Sequence, residues 1–172
     1  MTLNDDHTLL GISDTRHVTD DMIHVRRACV LLAEQTHYNL SLFSHRLEAE
    51  LFDQPPFVEA VRQLATRRAR SQIRILISDA SEIRLHGHQL VNLAQRLTSN
   101  VHIRKVGDEY REEAANFLLG DDAGYLYLPD WRDIRHAQIN FNDRLRVRQL
   151  NDRFKEMWEH SRPDPALRQL NL

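Results

Sequence analysis

The stretch 114–128, AANFLLGDDAGYLYL, limits the fold of this chain more than any other segment. Its first part is apolar apart from Asn116 and has the length of one strand, and two consecutive aspartates then end the apolar run. Gly124 permits a tight turn, and a second run of strand-forming residues starts at Tyr125. The pattern predicts two buried strands joined by a turn, a β-hairpin that forms part of the core.

Segments with helical and strand patterns alternate through the part of the chain before this hairpin. Helical patterns cover 20–35, 55–70 and 86–98, and strand patterns cover 37–44, 72–78 and 101–106. Strands that are separated by helices of about 10 to 15 residues usually lie parallel and join through right-handed crossovers. We therefore predict an α/β sandwich, in which a mixed, mostly parallel sheet is flanked by helices and extended by the hairpin.

A short strand and a long helix are predicted near the end of the chain. The strand covers 137–141, and Asn142 or Asp143 caps the helix that follows. Large apolar side chains then repeat with a period of about 3.6 residues, at Val147, Leu150, Phe154, Met157 and Trp158. Two prolines prevent the helix from continuing, so residues 163–172 are predicted to form a C-terminal tail.

The length of 172 residues favours one domain with one core, which we place at 20–162 behind a flexible N-terminal arm of residues 1–19. The single cysteine, Cys29, has no partner for an intramolecular disulfide and lies in an apolar helical run, which is typical of a reducing compartment. The first residues lack the basic start and the apolar run of a signal peptide, and no run of about 18 apolar residues is present to span a membrane. We therefore predict a cytoplasmic location and no membrane partner.

The balance of charge bears on the choice of partner. The 23 basic and 25 acidic residues leave a formal net charge of −2, so the chain as a whole has no field that would gather nucleic acid. Arg67, Arg68 and Arg70 form a local basic cluster that could touch phosphates, but basic residues in the last turn of a helix also complement its dipole and face solvent. Nucleic acid is therefore the least favoured of the partners considered.

Candidate site residues lie at the carboxyl ends of the predicted strands, because ligands of open α/β sheets bind in the crevice at those ends. Ser44, His45 and Arg46 follow the first strand, and Asp79 follows the second. The alternative is that Asp79 caps its loop and that His45 and Arg46 only meet solvent. No glycine-rich phosphate loop or nucleophile elbow accompanies them in the sequence.

His86 and His88 could present two imidazoles to a metal ion. A metal site needs at least three converging ligands, and neither a nearby cysteine nor a His-Glu helical motif completes the set. We therefore predict two surface histidines, no metal and no cofactor.

The hairpin, with its aspartate and glycine turn, resembles the segment that carries the HxKxxxxD motif of the phospholipase D superfamily when Asp121 is aligned with the motif's aspartate. A final strand that leads into a helix ending on an aromatic residue and a tryptophan extends the resemblance over residues 36–161. On this alignment Ala114 replaces the histidine, the family's covalent nucleophile, and Asn116 replaces the lysine that holds the phosphate. A methyl group cannot form a phosphohistidine, and a neutral amide brings no full positive charge to a phosphate. The family's Gly-Ser-x-Asn segment is also replaced, by LPDWRD over 128–133.

The resemblance implies a phospholipase D-like fold whose usual activity is lost, and it adds Asn116 and Asp121 to the candidate ligand-binding residues. The leading hypothesis is a catalytically inactive domain that binds a small anionic ligand or another protein. For Asp121 the alternative is that it closes the hairpin turn. For the whole chain the alternative is a hydrolase of a different substrate that uses His45 or His86 with Asp79.

Assembly follows from the same resemblance, since the active unit of the superfamily pairs two similar halves and this chain contains one AANFLLGDD segment. A homodimer is predicted because closed twofold dimers are the commonest soluble oligomers. The helix at 20–35 carries more apolar side chains than one stripe needs, and this surplus would cover a partner. The alternative is that this helix packs against its own domain and that the protein is a monomer.

Overall fold

The computed structural model describes residues 7–167, which form one sheet with apolar clusters on both of its faces. The strands within this range are β1 (His17–Thr19), β2 (Asn39–Ser44), β3 (Gln72–Ile77), β4 (Val101–Lys105), β5 (Asn116–Gly120), β6 (Gly124–Leu128) and β7 (Ala137–Asn140). The α-helices are α1 (Met22–Gln35), α2 (Ala49–Phe52), α3 (Pro55–Arg67), α4 (Ser81–His86), α5 (Gln89–Arg96) and α6 (Arg144–Glu159).

The strands lie in the order β1-β7-β6-β5-β2-β3-β4. β2, β3 and β4 are parallel, whereas β5 pairs antiparallel with β2, and β6, β7 and β1 continue the antiparallel part. The predicted α/β fold, with a mixed sheet flanked by helices and extended by the hairpin, is confirmed. The parallel part is smaller than predicted, because the hairpin and the strands after it join the sheet through antiparallel pairings.

The sheet separates two clusters of buried apolar side chains. The larger cluster lies on the face covered by α1, α3 and α5, and the smaller one lies on the face covered by α6. Successive residues of β3 point to opposite faces, with Ile75 in the larger cluster and Leu76 in the smaller one. The continuous apolar run of β3 is thus explained by burial on both of its faces.

The broad apolar surface of α1 is used within its own domain. Val30 and Leu31 are 6% and 4% exposed and belong to the larger cluster, and Ile23 is the exposed large apolar residue of this helix. The apolar side chains of α1 that would cover a second copy are therefore already buried within their own domain. Self-association stays a prediction that is based only on the pairing of halves in the superfamily.

Two of the predicted boundaries are corrected by the structure. β1 forms inside the predicted arm, because His17–Thr19 pairs with β7 and so becomes the edge strand, while residues 1–6 lie outside the described range. The predicted helix 86–98 begins only at Gln89, after the cap residue His88, because Gly87, with a φ of +70°, ends a separate helix, α4, which was not predicted. The four residues of α2 are too few for a periodic pattern to predict.

The predicted C-terminal tail is described as far as Leu167, which ends a short 3₁₀ turn and is buried against the larger cluster. Residues 168–172 of that tail lie outside the described range. None of the helices between residues 7 and 167 is both long and apolar enough to cross a membrane. The cytoplasmic location stays a prediction.

Candidate ligand-binding site

The start of β5 lies beside the end of β2, because these strands are antiparallel neighbours. The structure therefore brings Ser44, His45 and Asn116 together. The Oδ1 atom of Asn116 accepts a hydrogen bond from the backbone N–H of His45 at 2.8 Å, and its Nδ2 donates to Oε2 of Glu48 at 3.0 Å. The hydroxyl of Ser44 donates to the same oxygen of Glu48.

Asn116 has no exposed donor to offer a ligand, because it is 1% exposed and both ends of its amide are bonded within the chain. Glu48 moreover places a carboxylate at this position, where a phosphate would be repelled. Sequence reasoning missed Glu48. It follows Ser44 by four residues across a loop, which is not a pattern that any sequence signal marks.

Trp131 covers the His45 side of this site. Its ring stacks on the His45 imidazole, with centroids 4.1 Å apart and an interplanar angle of 3°, and the Arg46 guanidinium carbon lies 4.5 Å from its centroid. The backbone N–H of Trp131 donates to the carbonyl of Ala114 at 2.7 Å, which holds this loop against the start of the hairpin. Sequence reasoning did not assign Trp131. The available signal was the segment LPDWRD, which replaces the second ligand-binding element of the superfamily.

A cavity of about 410 Å³ opens at the carboxyl ends of the parallel strands, with Trp131 among its lining residues. His45, Ser78, Asp79 and Lys105 also line it. The Ser78 hydroxyl and the Nδ1 atom of His45 are buried and form no hydrogen bond within residues 7–167. Because buried polar atoms are normally paired, these two atoms indicate a place for a polar ligand or for water.

His45 and Asp79 are connected through the backbone, since the carbonyl of His45 accepts from the N–H groups of Ser78 and Asp79 at 3.0 and 2.8 Å. Burial lowers the pKa of His45 below its ordinary value, and the carboxylates of Glu48 and Asp79 oppose this shift in part. Hydrogen bonds from the hydroxyl and the N–H of Ser81 lower the pKa of Asp79. At neutral pH the cavity therefore presents a neutral imidazole and an ionised carboxylate.

Comparison with known proteins places this chain in a family. Residues 21–170 match a family described as a domain of unknown function, DUF7931. The chain belongs to the DUF7931 family. No curated protein matches it in sequence.

The DUF7931 chain is similar to several solved structures. One is NucT from Helicobacter pylori, with a TM-score of 0.66 and 9% identity over 88% of this chain and 98% of that one. Another is Nuc from Salmonella typhimurium, a phospholipase D family member, with a TM-score of 0.62 and 9% identity over 86% and 96%. A third is TrmBL2, described as an archaeal chromatin protein with a novel mode of DNA binding, with a TM-score of 0.66 and 13% identity over 89% of this chain. The DUF7931 chain spans only 55% of TrmBL2, and at these identities the likeness shows the fold alone, which is phospholipase D-like as the resemblance predicted.

Asp121 of the DUF7931 chain lies at the opposite end of the sheet from the cavity. At about 3.3 Å per residue, β5 places about 16 Å between Asn116 and Asp121. The Asp121 carboxylate instead accepts hydrogen bonds from the backbone N–H groups of His37, Tyr38 and Asn39 at 2.9, 2.9 and 3.0 Å. The prediction that Asp121 joins the ligand-binding residues is wrong, because a strand carries its two ends to opposite edges of the sheet. Asp121 closes the hairpin turn, as the alternative held.

The two histidines of the HGH segment do not act together. The side chain of His86 is 74% exposed near Glu82, whereas His88 is buried and its Nδ1 atom accepts from the N–H of Leu90 at 3.1 Å. The prediction of a surface histidine therefore holds for His86 and is wrong for His88. Both border a second cavity, of about 440 Å³, which Trp131 also lines. Within residues 7–167 no group of three His, Cys, Asp or Glu side chains is placed to hold a metal ion.

The burial of His88 predicts a pH-dependent stability. Burial lowers the pKa of His88 below the ordinary 6.5, with the Asp53 carboxylate opposing the shift. The unfolded chain therefore binds more protons than the folded one between the lowered pKa and about pH 6.5, so the free energy of unfolding should fall as the pH drops through that window. His88→Asn keeps an acceptor for the Leu90 N–H but does not titrate, and its loss of stability between about pH 7.5 and 5 should be smaller than that of the native chain. Urea midpoints at the two pH values measure this, and an equal loss in both proteins would contradict it.

Proposed function

We propose that this DUF7931 domain is a catalytically inactive phospholipase D-like domain that binds a small anionic ligand at the carboxyl ends of β2 and β3. The hydrogen bonding of Asn116 carries the proposal. Its amide is buried and held between the His45 N–H and the Glu48 carboxylate, so it offers nothing to a phosphate. Ala114, at the aligned position of the nucleophile, has no group that forms a covalent intermediate.

The class of ligand follows from the lining of the cavity. Lys105 brings a positive charge that forms no ion pair within residues 7–167, whereas Arg132 is paired with Asp130 at 2.8 Å. The Ser78 hydroxyl adds a donor that has no partner in the described part of the chain. A phosphate or a carboxylate would accept hydrogen bonds from both groups. The carboxylates of Asp79, Glu112 and Glu113 line the same cavity, and they favour an anion of low charge.

The first test is of activity. The purified protein is expected to cleave no phosphodiester through a phosphohistidine, because the aligned nucleophile position holds a methyl group. Release of nitrophenol from bis(p-nitrophenyl) phosphate measures this, with Salmonella typhimurium Nuc as a comparison protein. A phosphohistidine that mass spectrometry detects after alkaline quenching, and that disappears when one histidine is replaced, would contradict the proposal.

The second test is of binding, by isothermal titration calorimetry with inorganic phosphate, acetate and mononucleotides. At least one of these anions should bind, and Lys105→Gln should weaken it about tenfold, as expected for loss of a charge-assisted contact. Arg96→Gln is the matched control, because it removes one positive charge from the exposed end of α5, outside the cavity lining. Absence of binding by all three, or an equal effect of the control, would contradict the ligand site.

In the hydrolase alternative, the candidate catalytic pair is His45 with Asp79, because both residues line the same cavity. His86 does not line that cavity. The observation that favours it is the Nδ1 atom of His45, which has no hydrogen-bond partner within residues 7–167. Burial lowers the pKa of His45, so its ring is neutral at neutral pH. Turnover of a nitrophenyl ester that is lost in both His45→Ala and Asp79→Asn would favour this second function over the inactive domain.

A further inference from the structure

Two arginines on the α6 face of the sheet stack on one indole ring. The guanidinium carbons of Arg74 in β3 and Arg104 in β4 lie 5.5 and 4.6 Å from the ring centroid of Trp158. Trp158 in turn stacks on the buried ring of Phe154 at 5.9 Å. Because the indole is anchored on the core, it holds both planar guanidinium groups in defined positions.

Neither guanidinium has an acceptor among residues 7–167. Arg74 and Arg104 form no side-chain hydrogen bond and no ion pair within residues 7–167, and their nitrogens are not among the buried atoms that lack a partner, so solvent reaches them. Each guanidinium carries five N–H donors in a fixed fork. Two partly buried cations on one ring also repel each other, which an anion between or beside them would relieve. The pair is therefore arranged to receive an anionic partner.

A third cation lies on the same helix as Trp158. Lys155 precedes Trp158 by three residues on α6, which places the two side chains on neighbouring turns, and it is exposed without an ion pair in the described range. Glu159 is the acidic residue next to Trp158 in the chain, and it pairs with none of the three cations. We call Arg74, Arg104, Lys155 and Trp158 together the Trp158 surface.

We propose that the Trp158 surface binds single-stranded nucleic acid through its backbone phosphates. Three cations spread over two strands and a helix fit successive phosphates of a polymer better than one small anion, and the arginine forks match phosphate oxygens. None of the four residues lines the cavity of the proposed function, so this inference does not rest on that function. The near-neutral net charge predicts that nucleic acid is the least favoured partner. The proposal reverses this expectation, because a local cluster of cations can bind phosphates whatever the net charge of the chain.

The basic cluster that the sequence singles out is less suited to this role. Arg67 donates to the carbonyl of Thr36 at 3.2 Å, and Arg68 lies over the ring of Tyr38 and donates to its hydroxyl at 3.0 Å. Two of its three guanidinium groups are therefore engaged within the chain. Arg74 and Arg104 also lie over a ring, but within residues 7–167 they donate no hydrogen bond, and this difference separates them from Arg67 and Arg68.

The test is fluorescence anisotropy with a labelled oligothymidylate of about 20 nucleotides at low salt. The native protein should bind it, and Arg74→Gln and Arg104→Gln should each weaken binding about tenfold. The slope of log affinity against log salt should fall in magnitude by about 0.7 for each arginine removed. Arg96→Gln carries the same charge change on a helix that covers the other face, and it should bind as the native protein does. Unchanged thermal midpoints show that the variants are folded.

Competition distinguishes the classes of partner. Polyglutamate or inorganic phosphate that displaces the oligonucleotide at equal charge concentration would overturn the proposal, in favour of an acidic protein or of a single anion. Failure of the native protein to bind at low salt, or an equal loss in Arg96→Gln, would also overturn it. Lys105→Gln should weaken binding of the anion in the cavity and leave oligonucleotide binding unchanged. The failure of one proposal is therefore distinguishable from the failure of the other.

Discussion

Phe154→Ala is expected to lower the free energy of unfolding by about 3 to 5 kcal/mol, the range for removal of a buried aromatic side chain. Phe154 is 1% exposed, meets Phe117 edge to face at 6.4 Å and stacks on Trp158. Four residues of α6 belong to the smaller apolar cluster, so the space left by the ring lies under the helix that closes this face. Leu150→Ala, at the edge of the same cluster, should lower the free energy of unfolding by about 2 to 3 kcal/mol.

Urea titration followed by far-ultraviolet circular dichroism measures both losses. Leu145→Ala is the control, since this residue of the same helix is 67% exposed and its truncation should change the free energy of unfolding by less than about 0.5 kcal/mol. A midpoint for Phe154→Ala equal to that of the native chain would mean that α6 is not packed on the sheet as described.

Asp121→Ala should lower the free energy of unfolding by about 2 to 3 kcal/mol, less than Phe154→Ala and as much as Leu150→Ala. The carboxylate satisfies three backbone N–H groups at the start of β2, and hydrogen bonds to a charged acceptor are stronger than neutral ones. The φ of Asp121 is +50°, a left-handed conformation that aspartate tolerates better than alanine does, by about 1 kcal/mol. Partial solvent access keeps the loss below the sum of three buried hydrogen bonds.

Two variants separate the causes of this loss. Asp121→Asn keeps an acceptor oxygen and tolerates the left-handed conformation, so it should retain a large part of the stability. Asp122→Ala removes the adjacent carboxylate, which is 83% exposed and paired only at the surface with Arg144, and it should have little effect. Equal urea midpoints for Asp121→Ala and Asp122→Ala would show that the three N–H contacts do not stabilise the hairpin.

Elements with a strong local pattern were predicted from the sequence. The hairpin at 114–128, the doubly buried β3 and the periodic α6 all form within a few residues of their predicted bounds. β1 and α2 were missed, because three or four residues carry no period and β1 exists only where β7 offers an edge to pair with. α4 was also missed, because its six residues are too few for a helical period to show.

The candidate site was predictable only in part. The carboxyl ends of parallel strands meet at one edge of a sheet, which predicts that Ser44, His45 and Asp79 lie near one another. The structure places all three at that edge. Which end of the hairpin joins them depends on the antiparallel pairing of β5 with β2, so Asn116 lies at the site and Asp121 does not. No local pattern in the sequence specifies that pairing.

The sequence by itself determined the class of fold and the residues at the aligned catalytic positions, because strand and helix periods and the identity of Ala114 and Asn116 do not depend on distant contacts. Only the tertiary structure decided what surrounds them. Glu48 bonds to Asn116 across 68 residues of chain, and Arg74 and Arg104 meet on Trp158 from three separate elements. Such contacts arise when elements with independent local patterns pack together. The free energy that favours one packing over others comes from contacts throughout the core, so no single residue in the sequence specifies it.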